Sequence, residues 1–252
     1  AEFILLLEKQ NVQFQGSTYI DHFIKVKSLS GISQMNIFQQ GFFTIQDESA
    51  ALPVLLLDPH PGERVIDMCA APGGKTTFIA EMMKNEGEIL AVDKYDTKLS
   101  LLKSSCERLG IQNVQLLAAD STTIDTPLAD RILVDAPCSG LGTLRKKPDI
   151  KWKREPEDIK RLVRQQYSLL ESAARMLKPG GVLVYSTCTT EPEENSELVY
   201  SFIRAHPEFS IEPANNFVNK SVVTAEGFIE TMPHRHQIDG SFAARLLKKQ
   251  SE

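Results

Sequence analysis

Two cysteines stand where a thiol could act as a nucleophile. Cys138 and Cys188 each come at the carboxyl end of a predicted strand. A thiol becomes a covalent nucleophile when its surroundings lower its pKa from the usual value of about 8.5. Residues 191–195 are typical of a helix start, whose dipole could lower the pKa of Cys188. Both thiols could instead be small buried apolar groups, as we expect for Cys69 and Cys106. The position of Cys138 and Cys188 beside a crevice favours a catalytic role instead.

A turn of small residues follows the predicted strand 64–67. Its adjacent glycines, Gly73 and Gly74, would let a ligand approach the main chain, and N–H groups opening the next helix would face an anionic group. A Walker A loop would need glycine in place of Cys69, and the dinucleotide fingerprint does not have adjacent glycines. A plain strand-to-helix turn is the alternative. The candidate cofactor loop consists of Cys69, Ala70, Ala71, Pro72, Gly73, Gly74 and Lys75.

Four aspartates come at or just after the ends of predicted strands: Asp67, Asp93, Asp120 and Asp135. In an open parallel sheet, ligands bind in the crevice beyond these ends. Asp93 lies about 20 residues beyond the glycine loop, where an acid can bind ribose hydroxyls. Any one of them could be a helix N-cap. Together, the four carboxylates favour a cofactor with an adenosine and a cationic centre, such as S-adenosylmethionine.

Strands and helices alternate from residue 64 onward, which predicts an α/β fold with a doubly wound, Rossmann-like sheet. Predicted strands cover residues 64–67, 89–93, 114–118, 131–134 and 182–186, with residues 242–248 as one antiparallel strand near the C-terminus. Predicted helices cover residues 50–57, 76–84, 97–109, 156–177 and 192–205, and residues 178–181 are a predicted turn. Residues 46–252 form the predicted catalytic domain, preceded by a short helix and the strand-like pieces 12–14, 19–20 and 23–26.

The composition is that of an ordinary globular protein with no segment typical of a membrane span. Four widely spaced cysteines without a C-x-x-C pair argue against disulfides or zinc, so we expect a cytoplasmic protein. His234 and His236 lack acidic or cysteine companions, and no metal site is predicted. A net charge of −5 gives no general attraction to nucleic acid, so any contact with RNA requires a local basic patch. We expect a monomer.

Three motifs together resemble the RNA cytosine-5 methyltransferases, nearest to their ribosomal RNA small-subunit methyltransferase B (Sun/Fmu) group. They are residues 67–76, residues 135–140 and residues 186–195. The segments 41–48 and 239–242 also resemble this group, and the resemblance covers residues 40–250. It implies transfer of a methyl group from S-adenosylmethionine to carbon 5 of a cytosine in RNA, with small-subunit (16S) ribosomal RNA as the expected substrate.

The resemblance also implies roles for individual residues. Cys188 would be the nucleophile, Cys138 would assist release of the product, and Asp135 would bind the target base. DNA enzymes of this chemistry use the cysteine that corresponds to Cys138, and the residues alone do not choose between the two thiols. The cofactor loop would hold the methionine part of the cofactor, Asp93 the ribose and Asp120 the adenine edge, and Asp135 is also expected to contact the cofactor.

A basic run follows the Cys138 motif, with six basic residues and one acid between residues 145 and 154. Such a run is often a solvated loop. Its position beside the site, and an indole that could stack on a base, favour contact with RNA. The candidate RNA-binding residues are Arg145, Lys146, Lys147, Lys151, Trp152, Lys153 and Arg154.

Several alternatives stay open at this point. A nucleotide hydrolase and a catalytically silent RNA-binding relative are the rival functions, and transfer RNA is the rival substrate. Relatives carry an N-terminal RNA-binding module, so we expect residues 1–45 to be a remnant of that subdomain. The chain starts at Ala1 without an initiator Met and is expected to be part of a longer protein.

Overall fold

The computed structural model describes residues 2–9, 12–21, 23–26 and 30–250. Besides short 3-10 turns, its elements follow one another along the chain in this order: α1 (Glu2–Lys9), β1 (Phe14–Gly16), β2 (Ile24–Val26), α2 (Asn36–Gln39), α3 (Glu48–Leu57), β3 (Arg64–Asp67), α4 (Gly74–Met82), β4 (Glu88–Asp93), α5 (Asp96–Leu109), β5 (Val114–Ala118), β6 (Ala129–Asp135), α6 (Pro156–Met176), β7 (Leu177–Thr187), α7 (Ser196–Ala205), β8 (Phe209–Glu212), β9 (Ile229–Thr231), α8 (Pro233–His236) and β10 (Ser241–Lys248).

The centre of the molecule is a sheet with the strand order β5-β4-β3-β6-β7-β10-β8, in which β9 also pairs with β10. Strands β3 to β7 run parallel to one another, whereas β10 runs antiparallel to its neighbours β7 and β8. The α/β class, the mostly parallel sheet and the antiparallel strand near the C-terminus are therefore confirmed. Because the parallel strands end at one edge, the loops that follow them meet there.

Two apolar clusters cover the two faces of the sheet. Alternate residues of the strands point to opposite faces, so Val65 packs with α3 and α4 while Ile66 packs with α6 and α7. The residues at the start of α6 explain why this long helix begins there: Pro156 occupies its first turn, and Glu155 and Asp158 form a capping box. The N-terminal hairpin β1–β2 is held to this body, since Lys25 pairs with Glu48 at 2.8 Å.

The buried helix α3 runs from the site edge of the sheet to the opposite edge. Its N-cap Asp47 accepts a hydrogen bond from the backbone nitrogen of Ser49 at 3.0 Å. At its other end, two buried arginines satisfy carbonyl groups that the helix leaves unpaired. Arg245 donates to the carbonyls of Leu56 and Leu57, and Arg131 also donates to Leu57. Helix α3 is therefore fixed at both ends, which places Asp47.

Some predicted boundaries are wrong. Residues 178–181, predicted as a turn, form a bulge within β7, where the register against β6 shifts. The predicted helix 192–205 is divided: a 3-10 turn covers Pro192–Glu194 and α7 begins at Ser196, because Asn195 has a non-helical backbone. Residues 19–20 do not form a strand, and strands β8 and β9 were not predicted.

Among the described residues, none of the helices is both long and apolar enough to cross a bilayer.

Candidate active site

The two predicted thiols lie together at the carboxyl edge of the sheet. Cys138 follows β6 and Cys188 follows β7, and these strands are parallel neighbours. The two Sγ atoms are 3.3 Å apart, and the backbone nitrogen of Cys188 also donates to the Sγ of Cys138 at 3.3 Å. Cys188 is exposed, whereas Cys138 is half-buried. The structure thus brings together two cysteines that are 50 residues apart in sequence.

The surroundings separate the two thiols electrostatically. The hydrogen bond from Cys138, helped by the positive charges of Lys75 and Lys147, lowers the pKa of Cys188, although Cys138, Asp135 and the other protein groups around the exposed side chain displace part of the water from its sulfur and the charge of Asp135 opposes ionisation. The same hydrogen bond, together with burial, raises the pKa of Cys138 well above its ordinary value. Cys188 is therefore the thiol that ionises more readily, and Cys138 keeps its proton.

The expected helix dipole beside Cys188 is not the reason for this. The segment after Cys188 forms only the 3-10 turn Pro192–Glu194, and α7 begins later, at Ser196. A helix dipole acts within the first turn of a helix. The sequence pattern therefore predicted the right direction for the pKa of Cys188 but the wrong cause, because its main cause is the second thiol.

An ion pair joins the predicted cofactor loop to Asp135, at the end of the strand that leads to Cys138. The Nζ of Lys75 lies 2.7 Å from Oδ2 of Asp135, and the hydroxyl of Ser186 donates to Oδ1 at 2.8 Å. Burial alone would lower the pKa of Lys75, but the negative charge of Asp135 outweighs it and raises that pKa. Lys75 therefore stays positively charged and points toward the thiols.

A cavity of about 90 Å³ opens beside Cys188. Small-molecule pockets usually exceed about 300 Å³, so this one is too small for a nucleoside-sized cofactor. Two of its carboxylates come from distant parts of the chain, because Asp47 caps α3 and Asp239 precedes β10. Its lining includes Asp47, Ser49, Lys75, Asp135, Thr143, Thr187, Cys188, Asp239 and Ser241.

Gly142 is the point where three segments of the site meet. Its backbone nitrogen donates to the carbonyl of Cys188 at 3.1 Å, and its own carbonyl accepts from the nitrogen of Gly240 at 2.8 Å. A Cβ at position 142 would lie 2.1 Å from the oxygen of Gly240. Only glycine fits here, and the close contact aligns the loops that carry Cys138, Cys188 and Asp239.

The predicted cofactor loop lies against the ends of β3 and β4. The backbone nitrogen of Ala71 donates to Oδ2 of Asp93 at 3.3 Å, and the nitrogen of Ala70 donates to the carbonyl of Val92 at 2.9 Å. Gly73 has a φ of 114°, and a Cβ there would meet Leu102 at 2.5 Å. The loop therefore packs tightly against the end of β4 and against Leu102. Its small residues lie at the carboxyl edge of the sheet.

The four strand-end aspartates do not all face the crevice. Asp93 is half-buried, and Asp120 is exposed with a pKa lowered by hydrogen bonds from Thr122. Asp67 differs from the expectation, because it is only 1% exposed and accepts a hydrogen bond from Thr76 in α4 at 2.7 Å. Burial raises the pKa of Asp67 to about 7. Three aspartates are therefore available at the edge, and the fourth supports the loop from inside.

The basic run divides into two groups. Lys146 pairs with Asp47 and Asp239, Arg145 also pairs with Asp239, and the Nε of Arg154 donates to the carbonyl of Ser139. These three cations are used inside the molecule. The second group consists of Lys147, Lys151, Trp152 and Lys153. In this group Lys153 pairs with Asp149 of the same run, and Trp152 is 81% exposed with the ammonium group of Lys151 over its ring. All seven residues are exposed, so the two groups differ in their partners and not in burial.

Two acids of the site, Asp47 and Asp239, are not among the residues predicted from the sequence. They lie 192 residues apart, yet the backbone nitrogen of Asp239 donates to Oδ1 of Asp47 at 3.3 Å. The signal was available, since both belong to segments that carried the family resemblance, residues 41–48 and 239–242. In the described ranges, His, Cys, Asp and Glu form no group of three or more that could hold a metal.

The sequence and the fold of the chain are similar to those of known proteins. The model of the 16S rRNA methyltransferase RsmB/F family matches residues 54–247. The chain is 41% identical over 234 residues to the probable ribosomal RNA small subunit methyltransferase B of Bacillus subtilis, covering 89% of this chain and 52% of that protein. It spans about half the length of the curated relatives it matches.

Two crystal structures from Pyrococcus horikoshii are also similar. A methyltransferase homologue has a TM-score of 0.86 and 32% identity, covering 98% of this chain and 82% of that chain. NSun6 with SFG has a TM-score of 0.80 and 33% identity, covering 90% of this chain and 60% of that chain.

Proposed function

The chain belongs to the 16S rRNA methyltransferase RsmB/F family, and on this premise we propose that it transfers a methyl group from S-adenosylmethionine to carbon 5 of a cytosine in RNA. Small-subunit (16S) ribosomal RNA is the proposed substrate. The single observation that carries the proposal is the pair of thiols 3.3 Å apart, of which the exposed Cys188 ionises more readily.

The residues at the edge fit the proposed cofactor. Asp93 and Asp120 offer carboxylates for hydroxyl and amino groups of an adenosine, and the loop 69–75 presents small residues that allow close approach. When bound, S-adenosylmethionine supplies a methyl group on a positively charged sulfur. A relative, NSun6 of Pyrococcus horikoshii, has a crystal structure with SFG, and the acids of this edge suit a cationic ligand.

The protein's own part in the reaction begins at Cys188. Its thiolate adds to carbon 6 of the cytosine, and the ring electrons thereby make carbon 5 nucleophilic enough to accept a methyl group. Loss of the carbon-5 proton to water and departure of the Cys188 sulfur with its bonding electrons then restore the aromatic ring. We propose that Cys138, which keeps its proton beside Cys188, assists this release by donating a hydrogen bond to the departing sulfur.

Asp135 is the proposed contact for the target base. Its carboxylate borders the 90 Å³ cavity beside Cys188, where it can accept a hydrogen bond from the amino group of cytosine and, once the ring nitrogen is protonated in the adduct, from that nitrogen as well. Lys75 and Ser186 hold it in place through one oxygen each. The cavity is too small for a whole nucleoside, and its position beside Cys188 suits the base of a nucleotide turned out of its RNA stack.

The proposed RNA contact is the second group of the basic run, which consists of Lys147, Lys151, Trp152 and Lys153. Lys147 is close enough to Cys188 to lower the pKa of its thiol. Lys151 and Lys153 supply charge for the phosphate backbone, and Trp152 offers a stacking surface. The segment up to residue 45 is a further proposed part of the RNA-binding region.

The test uses the protein with single substitutions, unmodified 16S ribosomal RNA and methyl-labelled S-adenosylmethionine. Cys138→Ala should accumulate a labelled RNA–protein adduct on a denaturing gel, and Cys188→Ala should form no adduct and transfer no methyl group. Cys106→Ala, in α5, is the matched control and should behave like the unsubstituted protein. The reverse pattern would exchange the roles of the two thiols, and absence of methylation of both ribosomal and transfer RNA by the unsubstituted protein would refute the proposed activity.

A further inference from the structure

Behind the two thiols lies a buried polar network that the proposed mechanism does not use. Its centre is Glu194, a carboxylate with no exposed surface, in the 3-10 turn after Cys188. Its partner is Gln166, in the middle of α6 and equally buried. Buried polar groups of this kind are costly unless they are hydrogen-bonded, so their contacts define what they hold.

The contacts converge on the two peptide groups that flank Cys138. Oε1 of Glu194 accepts from the backbone nitrogen of Ser139 at 2.9 Å and from Nε2 of Gln166 at 2.8 Å. The same Nε2 of Gln166 donates to the carbonyl of Pro137 at 2.9 Å. The residue before Cys138 and the residue after it are thus both fixed from the buried side.

The same network is anchored to the Cys188 loop. The hydroxyl of Tyr185 in β7 donates to the carbonyl of Glu194 at 2.6 Å. The hydroxyls of Ser139 and Thr189 are 2.7 Å apart, and Nδ2 of Asn195 donates to the carbonyl of Thr189 at 3.1 Å. Glu194 therefore belongs to the Cys188 loop but binds the Cys138 loop, so that it fixes the position of one thiol relative to the other.

We infer that Glu194 and Gln166 are positioning residues that hold Cys138 beside Cys188 from behind the site. In catalysis, which rests on the proposed function, they place Cys138 for the release step. Neither side chain touches the reacting atoms; both act through the backbone on each side of Cys138. Glu194 acts as a hydrogen-bond acceptor here, and its amide analogue can accept the same two bonds.

The first test measures thiol geometry without RNA or cofactor. Diamide takes up two hydrogen atoms as two neighbouring thiols form a disulfide, and mass mapping of peptides identifies the Cys138–Cys188 pair. Glu194→Ala and Gln166→Leu should form this disulfide at least tenfold more slowly than the unsubstituted protein. Glu194→Gln should stay within about threefold, since it retains the acceptor oxygen. Glu193→Ala and Gln165→Leu, both exposed neighbours, are matched controls and should change nothing.

The second test follows the reaction. With Cys138 displaced, Gln166→Leu should accumulate the RNA–protein adduct, as Cys138→Ala does, because addition by Cys188 continues while release slows. Circular dichroism and thermal unfolding establish that each variant is folded. If Glu194→Ala or Gln166→Leu does not fold, Gln166→Asn is tested in place of the unfolded variant. Gln166→Asn shortens the side chain by one carbon, and we expect the same slow disulfide formation and the same accumulation of adduct.

The outcomes separate this inference from the proposed function. Unchanged disulfide formation in folded Glu194→Ala and Gln166→Leu would overturn the inference, and so would a Glu194→Gln variant as slow as Glu194→Ala. If disulfide formation depends on Glu194 and Gln166 but the unsubstituted protein methylates no RNA, the positioning role stands and the proposed function fails.

Discussion

Gly142 and Cys188 are joined by a backbone hydrogen bond of 3.1 Å, in which the nitrogen of Gly142 donates to the carbonyl of Cys188. The thiol loop therefore rests on a residue that has no side chain. A Cβ at position 142 would lie 2.8 Å from that carbonyl oxygen. Contact this close leaves no room for any other amino acid without moving the loop of Cys188.

Gly142→Ala should lower the free energy of unfolding by about 1–3 kcal/mol, the usual cost of overpacking a tight site. The measurement is urea unfolding followed by circular dichroism. Gly16→Ala is the control, since no atom lies within 4 Å of a Cβ built there, and its effect should stay within about 0.5 kcal/mol. Equal stability of the two variants would show that the Gly142 contact can relax without cost.

The reactivity of Cys188 should depend on Cys138. The hydrogen bond from Cys138 is the main factor that lowers the pKa of Cys188. Cys138→Ala removes that donor, so alkylation of Cys188 by iodoacetamide should need a higher pH to reach its full rate. The rate is measured as a function of pH by mass spectrometry of the peptide that contains Cys188. Cys106→Ala serves as control, and an unchanged profile in Cys138→Ala would assign the low pKa to Lys75 and Lys147 instead.

Asp67 should make the protein less stable as the pH rises. Burial raises the pKa of its carboxyl in the folded state to about 7, above the ordinary value of 3.8 that the unfolded chain retains. Between these values the folded state binds the extra proton. The contribution of Asp67 is therefore fully present below about pH 4 and is lost as the pH rises toward 7, with a slope approaching about 1.4 kcal/mol per pH unit.

Asp67→Asn keeps an acceptor for Thr76 but cannot ionise. It should gain stability over the unsubstituted protein as the pH increases from 5 to 8, measured by urea unfolding at each pH. The exposed Asp96→Asn is the matched control and should show no such trend. A difference between Asp67→Asn and the unsubstituted protein that does not vary with pH would mean that Asp67 is ionised in the folded state throughout this range.

The basic run should separate into RNA contacts and structural cations. Lys147→Ala should weaken binding of single-stranded ribosomal RNA and reduce the salt dependence of log K by about 0.7, the value for one phosphate contact. Trp152→Ala should cost about 1–3 kcal/mol of binding if a base stacks on it. Arg154→Ala should instead lower protein stability, because its Nε holds the carbonyl of Ser139. Fluorescence anisotropy at several salt concentrations, with thermal unfolding alongside, distinguishes the two groups.

The alternation of strands and helices was sufficient to predict the sheet and to place both thiols at one edge, because parallel strands end on the same side. The loop with Gly73 was also visible, since adjacent glycines are a local signal. The parts that could not be predicted depend on long-range contacts. Lys146 neutralises Asp47 and Asp239, residues about 100 positions away on either side, and no local pattern records such a pairing.

Strands β8 and β9 were missed for a related reason. Each has only three or four residues, which is too few for the apolar–polar alternation of Phe209–Glu212 to be distinctive, and each is identified by its pairing with β10. The bulge at residues 178–181 was predicted as a turn because Pro179 and Gly180 usually mark one. Its pairing with β6 before and after the irregular residues makes it part of the strand instead.

The place of β10 in the sheet sets an order of events during synthesis. This strand inserts between β7 and the pair β8 and β9, yet the ribosome makes it after all of them. Until residues 241–248 emerge, the edge of β7 lacks its neighbour, and Asp239 and Ser241 cannot close the cavity beside Cys188. The loop 69–75 is therefore complete in sequence well before the cavity beside Cys188, and Cys188 reaches its final environment only when residues 241–248 have joined the sheet.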